Sequence, residues 1–405
     1  MKSAVMYGGG NIGRGFIGML LSASGYEVTF VDVAEPVVNT LNEKHCYPVR
    51  IISGEGNRDI QVENVKAVNG NDTSAVAEAI ASAEVMATAV GVNVLKYIIG
   101  NIVAGIRLRK ERNGGPLNIL ICENLMDANK VIEGMLKAHL TPEEQDWFDE
   151  NIGLVEASIG RMVPVQTEQM KDGDPMRVCV ESYGFLPVDK DAFKGQIPQI
   201  RNMVPFSPFD FYLKRKLYIH NMGHATCAYL GDLLGLAYIY EAIDRDEVYI
   251  LVRGAMEESA QALSKKYNVE LADILCHVTD LLYRFTNAAL QETCKRVGGD
   301  PRRKLGAQDR IIGAATTALE MGITPAYICV GAAAALYRFI NEADGMDQGE
   351  GSALAVLKEV SGLTEEDTLT QLILTMYRKL LSGCSLKQLR LAADMIVKDS
   401  MENII

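Results

Sequence analysis

No stretch of this 405-residue chain stays apolar long enough to span a bilayer. Its most apolar segments, 85–106 and 311–339, are broken by Asn93, Lys96 and Asn101 in the first and by Glu320 and Pro325 in the second. The opening MKSAVMYGGG reaches glycine too soon for the apolar stretch of a secretory signal, so the cytoplasm is the expected compartment. Positive charge is scarce as well. Forty Lys and Arg against 52 Asp and Glu leave a net charge of -12, which opposes nucleic acid as a general partner. The eight cysteines contain no C-x-x-C pair, so reduced thiols and no metal site are expected. No internal repeat and no low-complexity segment is present.

What is present is a composition of 48% apolar and 23% charged residues, which describes a packed enzyme-sized body and excludes a disordered or fibrous chain. The length exceeds what one core organises, so two domains are expected: residues 1–200, with added strands at 150–190, and residues 201–405. In the first, short apolar runs at 3–7, 27–33, 84–90 and 117–122 read as strands, and helical spacing at 12–23 follows the first of them. Alternation of this kind predicts a Rossmann-type parallel sheet with helices on both faces. Residues 154–158 and 177–181 read as further strands. From about 208 onward the pattern is helical, over 210–230, 239–265, 271–285, 309–321, 326–342 and 365–381, so the C-terminal domain is expected to be mainly α.

Gly8, Gly10 and Gly13 form G-x-G-x-x-G between the first strand and the first helix. The first glycine permits the tight turn, the second lets backbone approach a pyrophosphate, and the third lets helix and strand pack closely. The loop, with Asn11 and Ile12, presents a helix N-terminus to the phosphates. Asp32, 19 residues beyond Gly13 at the end of the second strand, is placed to accept the adenosine ribose hydroxyls. A carboxylate there repels a 2′-phosphate and no Lys or Arg follows in 33–38, so NAD is favoured over NADP.

The segment KLYIHNMGH sets Lys216, Asn221 and His224 in a K-x-x-x-x-N-x-x-H spacing within a helical pattern. At about 100° per residue, Asn221 lies about 140° and His224 about 80° around from Lys216, so the three fit one side of a helix. Oxidation of an alcohol by hydride transfer needs a base for the hydroxyl proton and donors for the developing alkoxide. A lysine can be that base once burial lowers its pKa from about 10.4. Asn221 can donate to the oxygen, and His224 can bond a second hydroxyl. His220 shares the face at about 40°, and these angles do not exclude it.

Together with TAVG at 88–91, CEN at 122–124, GAMEES at 254–259 and RVGGDPRRKL at 296–305, these motifs make the chain resemble the polyol-specific long-chain dehydrogenases, most closely their mannitol-1-phosphate 5-dehydrogenase branch. The resemblance runs nearly end to end. It implies metal-independent hydride transfer with NAD, with Lys216 as base, Asn221 and Asn124 as oxyanion donors, His224 as a substrate contact and Glu123 as a proton relay. It also implies cofactor contacts from Thr88, Val90 and Gly91. One departure stands out. Where the family reads V-D-R-I-x-P, this chain has Ile159, Gly160, Arg161, Met162, Val163 and Pro164, so an acidic side chain is missing.

A phosphorylated polyol needs local positive charge, for which Arg296, Arg302, Arg303 and Lys304 are the candidates. The expected reaction interconverts a hexitol phosphate and a ketose phosphate, mannitol 1-phosphate and fructose 6-phosphate in the first instance, in a cleft between the domains. The residues leave open an unphosphorylated polyol, a hexuronate reductase activity, and a non-catalytic NAD(H)-binding sensor. They do not give the oligomeric state.

Overall fold

A computed structural model describes residues 2–125, 127–343 and 345–402 of the chain. It divides into two compact units, the first ending at Asp210 and the second beginning at Phe211.

The first unit is built on six parallel strands: β1 Lys2–Tyr7, β2 Tyr26–Asp32, β3 Val65–Asn69, β4 Val85–Thr88, β5 Leu117–Ile121 and β6 Ile152–Glu156. Their spatial order is β3-β2-β1-β4-β5-β6, so the winding reverses between β1 and β4. Side chains alternate across the pleat. In β1, Ala4 and Met6 enter the core that holds Phe16, Leu20 and Phe30, whereas Val5 and Tyr7 enter the opposite core with Ile98, Ile102 and Leu136. Both faces are therefore covered, as a buried parallel sheet requires. The first face is closed further by a three-stranded sheet, in which Cys46–Ser53 pairs antiparallel with Gly56–Glu63 and parallel with Val178–Val180.

Several of these elements depart from the expected set. β3 was not expected, because VKAVN is short and alternates an exposed lysine with apolar residues. The 46–63 hairpin was not expected either, since its second strand, GNRDIQVE, buries little besides Val62. The strand expected at 154–158 begins two residues earlier and joins the main sheet as its edge.

The second unit is helical. At its centre, Ala326–Glu342 carries four consecutive buried alanines, Ala332 to Ala335, whose small side chains let neighbouring helices approach on every side. Met222–Leu233, Asp246–Tyr267 and Thr368–Leu381 pack against it. The helix expected over 239–265 is two helices, Ile239–Ile243 and Asp246–Tyr267, separated where Arg245 turns extended at φ -86° and ψ 122°. A final helix, Leu386–Glu402, was not anticipated. Among the described residues, no helix is long and apolar enough to cross a membrane.

Candidate functional site

In open α/β sheets ligands bind at the carboxyl ends of the strands where the winding reverses, and here that place lies beyond β1 and β4. The chain leaves β1 through Gly8, which has φ +103°, a conformation that L side chains rarely adopt. A Cβ on Gly8 would sit 2.5 Å from the Ala89 carbonyl oxygen, so the loops after β1 and β4 touch backbone to backbone. A Cβ on Gly13 would stand 1.9 Å from the carbonyl oxygen of Gly8. Around Gly10, by contrast, the space is open. The backbone turns helical at Asn11 and Ile12 and continues through a wide π-helical stretch, Gly13–Gly18, into Met19–Ala23.

Two charged side chains hold the Gly9 peptide from opposite ends. The Gly9 N–H donates to Asp32 Oδ2 at 2.7 Å, and Arg14 Nε donates to the Gly9 carbonyl at 2.6 Å. The other Asp32 oxygen accepts the Ala34 N–H at 2.8 Å. Arg14 is buried, which lowers its pKa, and it was not anticipated from the sequence because nothing in G-x-G-x-x-G marks the residue after its last glycine for a charge. At the end of β4, Thr88 is buried with its hydroxyl unpartnered. An open second glycine, a carboxylate at the end of β2 and an unsatisfied hydroxyl across the switch point suit a dinucleotide.

Glu123 follows β5 and is buried. Its Oε1 accepts the Val90 N–H at 2.9 Å and its Oε2 the Gly91 N–H at 2.8 Å. Both oxygens thus brace the 88–91 loop. The neighbouring Asn124 is exposed. At Gly160 the room for a side chain is taken by Tyr183, whose Cε1 would lie 3.0 Å from a Cβ there.

In the second unit, Lys216, Asn221 and His224 lie on one continuous helical rod, but not on an ordinary α-helix. Lys216–Asn221 is a π-helical turn between Asp210–Arg215 and Met222–Leu233. A π-turn bonds residue i to i+5, so Asn221 stacks beside Lys216 rather than about 140° around from it. Burial lowers the Lys216 pKa to about 8, with the Arg310 guanidinium adding to the effect. His224 stacks on Phe285 with ring centroids 4.9 Å apart. Its Nε2 lies 3.2 Å from Glu292 Oε2, though not aligned as a hydrogen bond. His220 is buried, and burial together with Arg284 holds its pKa well below 6.5, so it stays neutral.

The basic cluster is not one patch. Arg296 pairs with Glu292, Arg302 with Glu359 at 2.7 Å, and Arg303 with Asp300 at 2.9 Å and Asp309 at 3.5 Å; all three arginines are exposed. Lys304 differs, being only 4% exposed, and burial followed by Arg310 and Arg303 lowers its pKa to about 8. Two residues that the sequence did not single out emerge here. Glu292 is held at about 2 although burial alone would raise it, because His224 and Arg296 outweigh burial. Arg310 acts electrostatically on both lysines. Neither could be found by motif spacing, since each is brought to the site from more than 60 residues beyond the Lys216 turn.

Among the described residues no group of three His, Cys, Asp or Glu could hold a metal ion.

Comparison with known proteins gives a consistent family. The mannitol dehydrogenase Rossmann domain model matches residues 2–202, and the mannitol dehydrogenase C-terminal domain model matches residues 209–380. The chain is 39% identical over 333 residues to mannitol-1-phosphate 5-dehydrogenase of Brevibacillus brevis, covering 82% of this chain and 85% of that one. It is 36% identical over 389 residues to the protein of the same name from Caldanaerobacter subterraneus subsp. tengcongensis, covering 94% and 99%. The fold is similar to that of a substrate-free D-sorbitol dehydrogenase, with a TM-score of 0.77 at 15% identity over 94% of this chain and 93% of that one. A ternary complex of Pseudomonas fluorescens mannitol 2-dehydrogenase with NAD and D-mannitol gives 0.71 at 14% identity over 98% and 94%.

Proposed function

The chain belongs to the mannitol dehydrogenase family, and from that premise we propose that it oxidises and reforms the secondary alcohol of mannitol 1-phosphate, with fructose 6-phosphate as the ketose partner. It is an NAD-dependent oxidoreductase.

NAD, when bound, accepts or returns the hydride. The chain's own residues do the rest. The Gly8–Gly13 loop takes the pyrophosphate, and Asp32, already fixed by two backbone N–H groups, keeps lone pairs for the ribose hydroxyls. Thr88, Val90 and Gly91 line the opposite loop, which Glu123 braces. Lys216 Nζ accepts the hydroxyl proton as the alcohol is oxidised, and Asn221, stacked beside it by the π-turn, donates its amide to the oxygen. Asn124 is the second donor, and His224 holds a neighbouring hydroxyl, oriented by Phe285 and Glu292. Arg303 and Lys304 supply positive charge for the phosphate. With every cysteine among the described residues in the free state, a reducing cytoplasmic setting suits the protein.

The observation that carries this reading is the π-turn Lys216–Asn221, which begins at a partly buried lysine whose pKa is lowered to about 8 and ends one turn later at an asparagine. The test is consumption of NADH by the purified protein with fructose 6-phosphate, fructose and a keto hexuronate compared. A clear preference for fructose 6-phosphate is expected. Equal or better rates with either unphosphorylated ketose would overturn the phosphate assignment, and NADH binding without turnover of any of them would favour a sensor.

A further inference from the structure

The geometry points to Arg310 as the residue that reads the phosphate of the substrate. This rests on the polyol-phosphate reading above and adds to it a specificity determinant outside the 296–304 segment.

Arg310 is held against the lysine turn by two contacts on either side of it. Tyr218, which belongs to the Lys216–Asn221 turn, is buried and lies 3.4 Å from the Gln308 carbonyl, to which its hydroxyl donates. Its ring also fills the place where residue 313 would carry a side chain: a Cβ on Gly313 would be 2.6 Å from the Tyr218 hydroxyl. The segment 308–313 is thereby pinned to the turn that carries Lys216, with Arg310 between the pins. Any residue larger than glycine at 313 would push this segment away from the turn.

The guanidinium itself is prepared for an anion. The Arg310 side chain is 15% exposed, so most of its hydration has already been removed. Its Nε edge is taken, donating to Asp309 Oδ1 at 2.8 Å, while Nη1 and Nη2 have no protein partner among the described residues. A planar fork fixed along one edge and free at the other suits bidentate recognition of a phosphate. The other arginines of the region are committed elsewhere: Arg296 to Glu292, Arg302 to Glu359, and Arg303, 53% exposed, to Asp300 and Asp309. Arg303 and Lys304 interact with Asp300 and Asp309 beside Arg310, and Lys216 lies within electrostatic reach of Arg310, so the cations here outnumber the carboxylates in a chain of net charge -12. Burial is the main cause of the lowered values of Lys216 and Lys304, and in both the Arg310 guanidinium adds to it.

The test compares kcat/KM on mannitol 1-phosphate and on mannitol for wild type, Arg310→Gln and Arg310→Lys. Charge-assisted bonds to a fork should make Arg310→Gln lose at least about tenfold more on the phosphorylated substrate than on mannitol, chiefly through KM. Inorganic phosphate, competing with mannitol 1-phosphate in the wild type, should inhibit the variant much less. If Arg310→Gln does not fold, as read by thermal unfolding, Arg310→Lys carries the comparison, because it keeps the charge and loses only the fork. Equal losses on the two substrates, or undiminished inhibition by phosphate, would overturn the assignment of Arg310. A wild type with no preference for the phosphorylated substrate would instead overturn the substrate reading on which the assignment rests.

Discussion

The Asp32 carboxylate accepts the Gly9 N–H at 2.7 Å, which joins the end of β2 to the glycine loop after β1. A residue read from its position as a ribose contact therefore also shapes the phosphate loop. Removing it leaves the N–H groups of Gly9 and Ala34 without their acceptor and frees the loop on the side opposite Arg14. Asp32→Ala should weaken NADH at least about tenfold, since bonds to charged groups contribute about 1.5–3 kcal/mol each. NADP, which the carboxylate repels, should be weakened less. Fluorescence titration with both nucleotides measures this, and an unchanged NADH Kd would remove Asp32 from the site.

Lys216 gives the second prediction. Its pKa of about 8 lies below the ordinary value because the charged form is desolvated and faces Arg310. Only the neutral amine accepts a proton, so polyol oxidation should rise with pH through about 8, while ketose reduction, which needs the protonated form, should fall through the same range. Lys216→Ala should lower turnover by roughly two to four orders of magnitude and leave NADH binding intact. Near-normal turnover in that variant would exclude Lys216 as the base.

The sequence carried the parts of the site whose geometry is local. G-x-G-x-x-G, Asp32 and the K-x-x-x-x-N-x-x-H segment each lie within one strand, turn or helix, so spacing could nominate them as candidates, with the family resemblance supplying the roles of Lys216, Asn221 and His224. Even there a uniform 100° per residue misplaced Asn221, because the π-turn is an extra residue accommodated by packing, which periodicity cannot register. The residues that hold the named ones in place were not legible. Arg14, Glu292 and Arg310 act on Gly9, His224 and Lys216 through contacts that exist only in the fold. For the same reason β3 escaped notice: it is strand by virtue of its ladder to β2, from Val28 opposite Val65 to Asp32 opposite Asn69, and not by virtue of its own composition.

Glu292 supplies the third prediction. It is buried between His224 and Arg296 and stays ionised there, with its carboxyl held at about 2. Glu292→Gln would leave His224 oriented by its stack on Phe285 alone and would release Arg296. Under the roles proposed above, efficiency should fall by about tenfold, through KM more than kcat, because the contact of His224 with substrate is loosened while Lys216 is untouched. NADH affinity should not change. A loss confined to kcat would place His224 in the proton chemistry instead.

The last prediction concerns stability in the helical unit, where Glu258 is buried at 6% exposure beneath the start of Ala326–Glu342. Its carboxyl accepts the N–H groups of Tyr327 and Ile328, each at 2.9 Å. Those bonds, and the positive end of the helix, favour the ionised form; burial opposes it more strongly and pushes the pKa up to about 8. In the unfolded chain a glutamate titrates near 4.3, so between about 4.3 and 8 the folded protein keeps a proton that the unfolded chain releases. The unfolded state then binds fewer protons, and stability falls as pH rises across that window. The contribution of Glu258 is complete below the lower value and lost above the upper one. Glu258→Gln is neutral throughout and cannot follow this course. The Tm advantage of wild type over Glu258→Gln should therefore shrink by several degrees between pH 5 and pH 9, measured by calorimetry at matched ionic strength. A difference that stays constant would mean that the carboxyl is ionised in the fold across the whole range, with the helix N-terminus outweighing burial.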